Sequence, residues 1–379
     1  MLSRLLSPFV LVLTAILGAV YAYLAWRLGA GPGTRLALAV PFVLIWIVPV
    51  RYWGADKEDH GPADDLLHFA SYVSMGWLNF AFLLSVGRDL LMILPLQGIQ
   101  SFLVDSGSLA VLAGSFVALA LGAVAALRGP HVRRVEIPIE GLDPALDGLR
   151  IVQITDLHVG PTIRSAYVRR VVRMANALGA DLVALTGDFV DGPVARLASH
   201  VAPLAALVPA GRLFFVPGNH EYYSGIGPWL AHFRSLGFRV LLNEHAALSL
   251  RGTKVLVGGV VDPAARMLGP GHVPRPDLAA APAEGKAFRL LLAHNPKLAP
   301  LGEAAGFDLQ LSGHTHAGQF FPWTFAVHLV HAPHVAGLSR SGRMWVYVSA
   351  GTGSWGPPVR FGSEPELTLI RLVRPPAPA

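Results

Sequence analysis

The sequence predicts a chain in two parts, an N-terminal α-helical transmembrane bundle of about four spans over residues 1–130 and an α/β domain over residues 131–379. Three observations lead there. Of 379 residues, 53% are apolar and only 14% charged, more apolar than a soluble globule and indicative of membrane-embedded segments. Five long runs without Asp, Glu, Lys or Arg lie before residue 130, four of which read as spans. From about residue 131 the texture changes to short β-branched runs punctuated by Gly, Asp, Asn and His, with helix-like stretches between them.

The first run, Leu5 to Trp26, is long enough at about 1.5 Å per residue to cross a hydrocarbon core, and Tyr21, Tyr23 and Trp26 cluster at one end as interfacial anchors. Arg4 before an apolar run also fits a cleaved signal peptide, but the run is too long and further spans follow. Leu66 to Gly87, interrupted only by His68, and Ser106 to Leu127 have the same length. Leu36 to Val50 is shorter, contains Pro41 and Pro49, and needs Arg35 or Arg51 to snorkel toward the headgroups. The stretch LLMILPLQGIQSFLV, residues 90–104, is apolar but broken by Pro95 and reads as interfacial or as an extension of the third span. Four spans place both ends on one side, with Arg4, Arg51, Lys57, Arg128, Arg133 and Arg134 there, against Arg27, Arg35 and Arg88 on the other. The positive-inside rule then predicts a cytoplasmic C-terminal domain in a multi-pass membrane protein.

Residues 1–130 hold seven of the 30 Lys and Arg and seven of the 24 Asp and Glu, so the whole excess of +6 lies in the second part. That suits an anionic substrate or a lipid surface and is too dilute for nucleic acid. Without cysteine there is no disulfide framework and no thiolate metal site.

The second part repeats one format. LRIVQITDLHVG reads as a buried strand, residues 149–155, delivering Asp156 and His158; a helix-like stretch follows over about 163–178. DLVALTGDFVD delivers Asp188 and Asp191, RLFFVPGNHEYY delivers Asn219 and His220, RLLLAHNP delivers His294, and FDLQLSGHTH delivers His314 and His316. Strands alternating with helices make an α/β core, whose ligands gather beyond the carboxyl ends of the strands, so all five motifs are expected on one rim. A lone histidine is ordinarily a hydrogen-bonded core or surface residue; two at i and i+2 are different, because strand period puts them on the same face. Asp156, His158, Asp188, Asn219, His294, His314 and His316 offer only oxygen and imidazole donors, which suits manganese, iron or zinc. Seven donors exceed one site, and two metals sharing a carboxylate suit an in-line phosphoryl displacement.

The ordered series DLH, GDFVD, GNHE, AHNP and GHTHAGQ resembles the calcineurin-like metallophosphoesterase superfamily over roughly residues 149–355. VAGLSR and VYVSAGTGSWGPPVR downstream resemble its membrane-tethered bacterial YkuE-like branch and the transmembrane proteins with a metallophosphoesterase domain. The resemblance implies a bacterial inner-membrane location and two central mixed β-sheets flanked by helices. It implies that Asp156, His158, Asp188 and His316 hold one metal, and that Asp188 bridges to a second completed by Asn219, His294 and His314. It also implies that His220 is a catalytic histidine beside the substrate, with Asp191 as the carboxylate that orients it. Departures narrow the reading. Gly192 and Pro193 follow Asp191, and Pro217 precedes GNHE, where the superfamily's protein serine/threonine phosphatases carry phosphate-gripping arginines. Asp191 also stands where purple acid phosphatases place a tyrosine ligand, and Ala317 where much of this branch has glycine.

Arg164, Arg169, Arg170 and Arg173 form either a solvated helix face or a contact for anionic groups. FFPWTFAVHLVHAPHVAGL, residues 320–338, is either core or a mouth for acyl chains, with His328, His331 and His334 outside the ligand set. The Pro/Gly/Ala-rich loop ending at residue 285 carries no identifiable chemistry. The expected function is a membrane-anchored, two-metal hydrolase of phosphodiester, phosphomonoester or pyrophosphate bonds, with membrane lipids as neighbours and a small-molecule or lipid-linked phosphate as substrate. The competing reading is a membrane sensor or transporter whose metal-binding domain is non-catalytic.

Overall fold

The computed structural model describes residues 8–29, 31–51, 61–95, 97–280 and 287–375. Arg4 and Lys57 of the charge count, the first residues of the expected first span, residues 281–285 and Ala379 lie outside the described residues. The chain divides into two compact units, residues 1–127 with 356–359, and residues 128–355 with 360–379.

The first unit contains helices Pro8–Leu28, Pro32–Arg51, Pro62–Ile93, Gln97–Asp105 and Gly107–Leu127. Three contain stretches long and apolar enough to cross a membrane, Val10–Leu28, Ala63–Ile93 and Gly107–Leu127, while the apolar part of the remaining long helix, Pro32–Val48, is shorter. Leu, Val, Ile and Ala cover these helices on all sides, so that Leu11, Ile16, Leu36 and Leu109 stay exposed; such a bundle needs lipid around it. Charge inside it is paired. Asp89 accepts hydrogen bonds from Arg27 Nε (2.8 Å) and the Tyr23 hydroxyl (2.8 Å). Residues 90–104 do not make a separate span. Residues 90–93 continue the helix that ends at Ile93, and the nine-residue helix Gln97–Asp105, about 14 Å long, is too short to cross.

The second unit is a two-sheet α/β domain. Its strands are β1 (His131–Pro138), β2 (Arg150–Ile154), β3 (Leu182–Leu185), β4 (Leu213–Phe215), β5 (Arg239–Val240), β6 (Glu244–Leu250), β7 (Thr253–Gly259), β8 (Phe288–Leu292), β9 (Leu309–Ser312), β10 (Gly337–Ser341), β11 (Met344–Val348) and β12 (Glu366–Val373). One mixed sheet runs β1-β12-β2-β3-β4-β5, the other β10-β11-β9-β8-β7-β6. Within the first, β2 to β5 are parallel; within the second, β7, β8, β9 and β11 are. The strands that precede the five motifs, β2, β3, β4, β8 and β9, all belong to these parallel runs, which directs each set of carboxyl ends one way.

These strands are buried on both faces and carry mostly Val, Ile, Leu and Phe, with Gln153, Gln310 and Ser312 as buried polar exceptions. Ile151, Leu182 and Phe214 of the first sheet share one core with Val255, Leu290 and Leu309 of the second. The outer face of the first sheet is covered by helix Ser165–Ala177, whose Val168, Val171, Val172 and Ala175 recur at helical spacing and are buried. Its arginines, Arg169, Arg170 and Arg173, lie on the exposed side, as does Arg164 at its N-cap.

Candidate metal centre and active site

Each motif begins where its strand stops. β2 ends at Ile154 and Asp156 and His158 follow; β3 ends at Leu185 before Asp188 and Asp191; β4 ends at Phe215 before Asn219 and His220; β8 ends at Leu292 before His294. β9 ends at Ser312, so His314 and His316 lie beyond the strand, and the expectation that strand alternation puts them on one face is corrected. Their backbones are left-handed (φ 74° and 50°), as are those of Asp156 (52°), His158 (52°) and Asp188 (56°). The loops curl back over the strand ends instead of continuing the pleat, and this turns both imidazoles inward. Left-handed non-glycine residues cost energy, and a cluster of them marks a site where the surroundings enforce the geometry. Here the enforcement is visible: the Asp156 carboxylate accepts the His314 N–H (3.0 Å), and Asp188 accepts the His220 N–H (2.8 Å).

The glycines of the motifs permit this closeness. A Cβ on Gly313 would collide with the Asp156 carboxylate, and one on Gly218 with the Asp188 carboxylate. Only a residue without a side chain lets the peptide lie against those oxygens.

All seven expected ligands come together. The ligand atoms of Asp156, His158 and His316 lie within 4.8 Å of one another, as do those of Asp188, His294 and His314. Asn219 Oδ1 is 3.0 Å from His314 Nδ1. Asp188 Oδ2 stands between the groups, 3.1 Å from His294 Nε2 and 3.9 Å from His158 Nε2. Asp156, His158, Asp188 and Asn219 come from the first sheet's loops, and His294, His314 and His316 from the second's.

The donor chemistry fits cations. His294 Nδ1 lies 2.8 Å from the Thr186 carbonyl, which can only accept, so a neutral His294 places its proton there and turns a bare nitrogen toward the Asp188 carboxylate. His158 Nδ1 is likewise committed to Asp191 Oδ1 (2.9 Å), and its Nε2 faces His316 Nε2 at 3.0 Å. Lone pairs aimed at a carboxylate or at one another need a proton or a metal between them, and histidines whose second nitrogen is held by an outer acceptor are the usual metal ligands.

Electrostatics follow the same division. Burial would raise the Asp188 carboxyl and lower the His294 imidazole, but each charge outweighs burial for the other, holding Asp188 well below and His294 well above its usual range. Burial, with the nearby His294 charge, pushes His314 down to about 3. Burial also drives His316 far down, helped by His158 and Arg360, so both are neutral and available as ligands near neutrality. Burial pushes Asp156 up.

Residues 149–318 match the family model described as calcineurin-like phosphoesterase. An uncharacterized metallophosphoesterase of Aquifex aeolicus is 32% identical over 260 residues, covering 68% of this chain and 98% of that protein. The chain belongs to the calcineurin-like metallophosphoesterase family. A second relative, the uncharacterized metallophosphoesterase YkuE of Bacillus subtilis, is 31% identical across 69% of this chain and 96% of its own. A third, a transmembrane protein with metallophosphoesterase domain from Danio rerio, is 39% identical over 283 residues, 69% of this chain. The chain spans 64% of that protein's length and 59% of a cattle relative of the same description.

In this metallophosphoesterase, His220 lies beside the seven donors. Its Nδ1 is 2.7 Å from Asp191 Oδ1, the same oxygen that meets His158, so Asp191 orients two histidines where one was expected. Burial would lower the His220 imidazole, but the Asp188 and Asp191 carboxylates raise it to about 9. Asp191 is held well below the carboxylate range; the two imidazoles outweigh its burial.

Three residues of the metallophosphoesterase site escaped the sequence reading. Glu221, fully buried, accepts the backbone N–H groups of Asp188 (2.9 Å), Phe189 (2.6 Å) and Gly218 (2.7 Å), tying the second motif to the third. It is the acidic end of GNHE, and that was the available signal. Trp355 stacks edge-on beside His220, ring centres 5.9 Å apart. Arg360 is buried behind His316, donating to the carbonyls of His316 (3.0 Å) and Gly353 (2.6 Å), with Nη2 3.1 Å from His316 Nδ1. Its signal is an arginine closing the otherwise uncharged run VYVSAGTGSWGPPVR. Of the other histidines, His328 is exposed, His334 is buried 2.8 Å from the Ser339 hydroxyl, and His331 packs edge-on against His314 with centres 5.2 Å apart.

Proposed function

We propose that this protein is a membrane-anchored, two-metal phosphoesterase whose substrate is a lipid-linked phosphodiester, phosphomonoester or pyrophosphate, such as a nucleotide-diphosphate sugar lipid. The observation that carries the reading is the position of Asp188, which belongs to one triad of oxygen and imidazole donors and lies 3.9 Å from His158 of the other, with His220 beside them and outside both. Asp156, His158, Asp188 and His316 would hold one divalent cation, and Asp188, Asn219, His294 and His314 a second, with manganese, iron and zinc suited to such donors. When bound, the cations would supply electrostatic stabilisation of the phosphoryl oxygens and activation of a water. The chain's own groups do the rest. His220, protonated up to about pH 9, delivers its Nε2 proton to the leaving oxygen while Asp191 holds Nδ1. Trp355 and Tyr223 flank His220 and set its ring orientation.

A lipid-linked substrate is favoured because several apolar helices are more anchorage than a water-soluble substrate requires, and because the exposed aromatics Phe321, Trp323 and Phe325 follow shortly after the last candidate ligand. With four crossings, the charge count favours the cytoplasmic side for the catalytic unit, and the bacterial inner membrane is part of the same proposal. The test is hydrolysis of bis(p-nitrophenyl) phosphate by purified protein with added manganese and after chelation. Manganese-dependent release of nitrophenol is expected; a protein that binds manganese and releases none is a sensor or transporter instead.

A further inference from the structure

The helix Trp323–His331 has no buried residue, yet six of its nine residues are apolar. Leu329 is 90% exposed, Phe325 69% and Trp323 54%. Val330 is exposed as well, and Phe321, just before the helix, packs edge-on against Phe325. Residues 320–335 contain no Asp, Glu, Lys or Arg. A helix presented to water normally carries charge on its outer face. The inner side of this one touches the site: the His331 ring lies against His314.

We propose that helix Trp323–His331 is an interfacial docking helix whose outer face enters the bilayer and sets the mouth of the metal site at headgroup level. The inference rests on the membrane-anchored reading above and adds a second, peripheral attachment to it. Lipid is the occupant because the last apolar helix ends at Leu127 and β1 begins at His131, a tether of three residues spanning about 10 Å at most. The catalytic unit is thereby confined near a bilayer surface, whatever its orientation. The composition agrees: protein interfaces are rimmed by polar and charged groups, whereas an interfacial helix presents Trp, Phe and Leu to the acyl boundary. A substrate with its acyl chains in the bilayer would then bring its phosphate to the metal ligands without leaving the membrane.

The chain has no cysteine, so single labels can be placed without background. Leu329→Cys, Lys254→Cys and Leu109→Cys, all at exposed positions, would each carry an environment-sensitive fluorophore in the full chain, reconstituted in phosphatidylcholine nanodiscs. Lys254 lies at the amino end of β7, away from the site, and Leu109 on the helix Gly107–Leu127 reports the span itself. The expected result is quenching at 329 by doxyl-labelled lipid comparable to that at 109, with loss of quenching by aqueous iodide, while 254 shows the reverse. Iodide access at 329 equal to that at 254, with 109 quenched by lipid, overturns the docking helix and leaves the anchor intact. Protection from iodide at 329 without lipid quenching means a protein covers the face and overturns it equally. Failure of lipid quenching at 109 would refute the membrane-anchored reading itself.

Discussion

Asp188 reaches both groups of donors: its carboxylate meets His294, lies 3.9 Å from His158, accepts the His220 N–H, and lies against Gly218. Asp188→Asn removes one charge shared by both candidate cation positions. It should lower bound metal, read by elemental analysis, and reduce kcat/KM by more than about 100-fold, the scale of losing one preorganised electrostatic contact. Full activity with two metals retained refutes the bridging role. His220→Ala should behave differently, keeping the metals and losing on the order of 10² to 10⁴ in rate. Because the two carboxylates raise His220 to about 9, its proton is present at neutral pH and is lost as pH rises through that value. Cations held by Asp188 would withdraw part of that support, so with metal bound an alkaline decline at or below about pH 9 is expected for an alkyl ester, whose leaving oxygen needs a proton. It should be much weaker for a nitrophenyl ester, whose leaving group does not. Equal declines for both esters would assign the limb to another group. Glu221 is a residue of stability. Glu221→Ala strands three buried N–H groups and should cost about 3 kcal/mol or more, seen as a lowered melting temperature, whereas Glu221→Gln retains an acceptor and costs less.

At the scale of elements, the helix of the outer layer and the motif-bearing strands were legible because burial leaves a pattern: Val168, Val171, Val172 and Ala175 at helical spacing, an unbroken apolar run in β3, and apolar runs in β2 and β8 interrupted by Gln153 and Arg289. The seven donors were legible by type and order. The backbone between them was not. Histidines spaced i and i+2 after an apolar run look like a continuing strand, and nothing in the letters says that Gly313 and the Asp156 carboxylate capture the chain into a left-handed turn. Arg360 reaches His316 across 44 positions, a contact no local pattern announces. Residues 320–338, read as core or an acyl mouth, contain an exposed helix, which removes the core reading at Phe321 and Trp323 and leaves the acyl mouth as a proposal to test. Replacing both with Ser should reduce activity on an acylated phosphate or pyrophosphate substrate much more than on a short water-soluble phosphodiester, because only the former uses the apolar contact. Equal losses on the two substrates would mean the aromatics merely support the loop.

For the whole molecule, membrane character was plain from composition, while the number of crossings was not: Pro41 and Pro49 do not prevent the helix Pro32–Arg51, yet its apolar length falls short of the other three. That count decides topology. A reporter fused after Ala379 should be cytoplasmic if four helices cross; an external signal means that three do. The two sheets carry a further consequence. Each candidate cation draws donors from loops of both, so the ions would act as removable fasteners across the seam between two layers otherwise joined by side-chain packing and a few hydrogen bonds, such as Gln153 Nε2 to the Ser312 carbonyl (2.9 Å) and Trp345 Nε1 to the Pro138 carbonyl (2.7 Å). Loading them at a hundredfold excess over Kd stabilises a folded chain by about 2.7 kcal/mol per site. Chelation should then lower the melting temperature and release amide exchange after β2, β3, β8 and β9 together, as a seam opens along its length and not one stitch at a time.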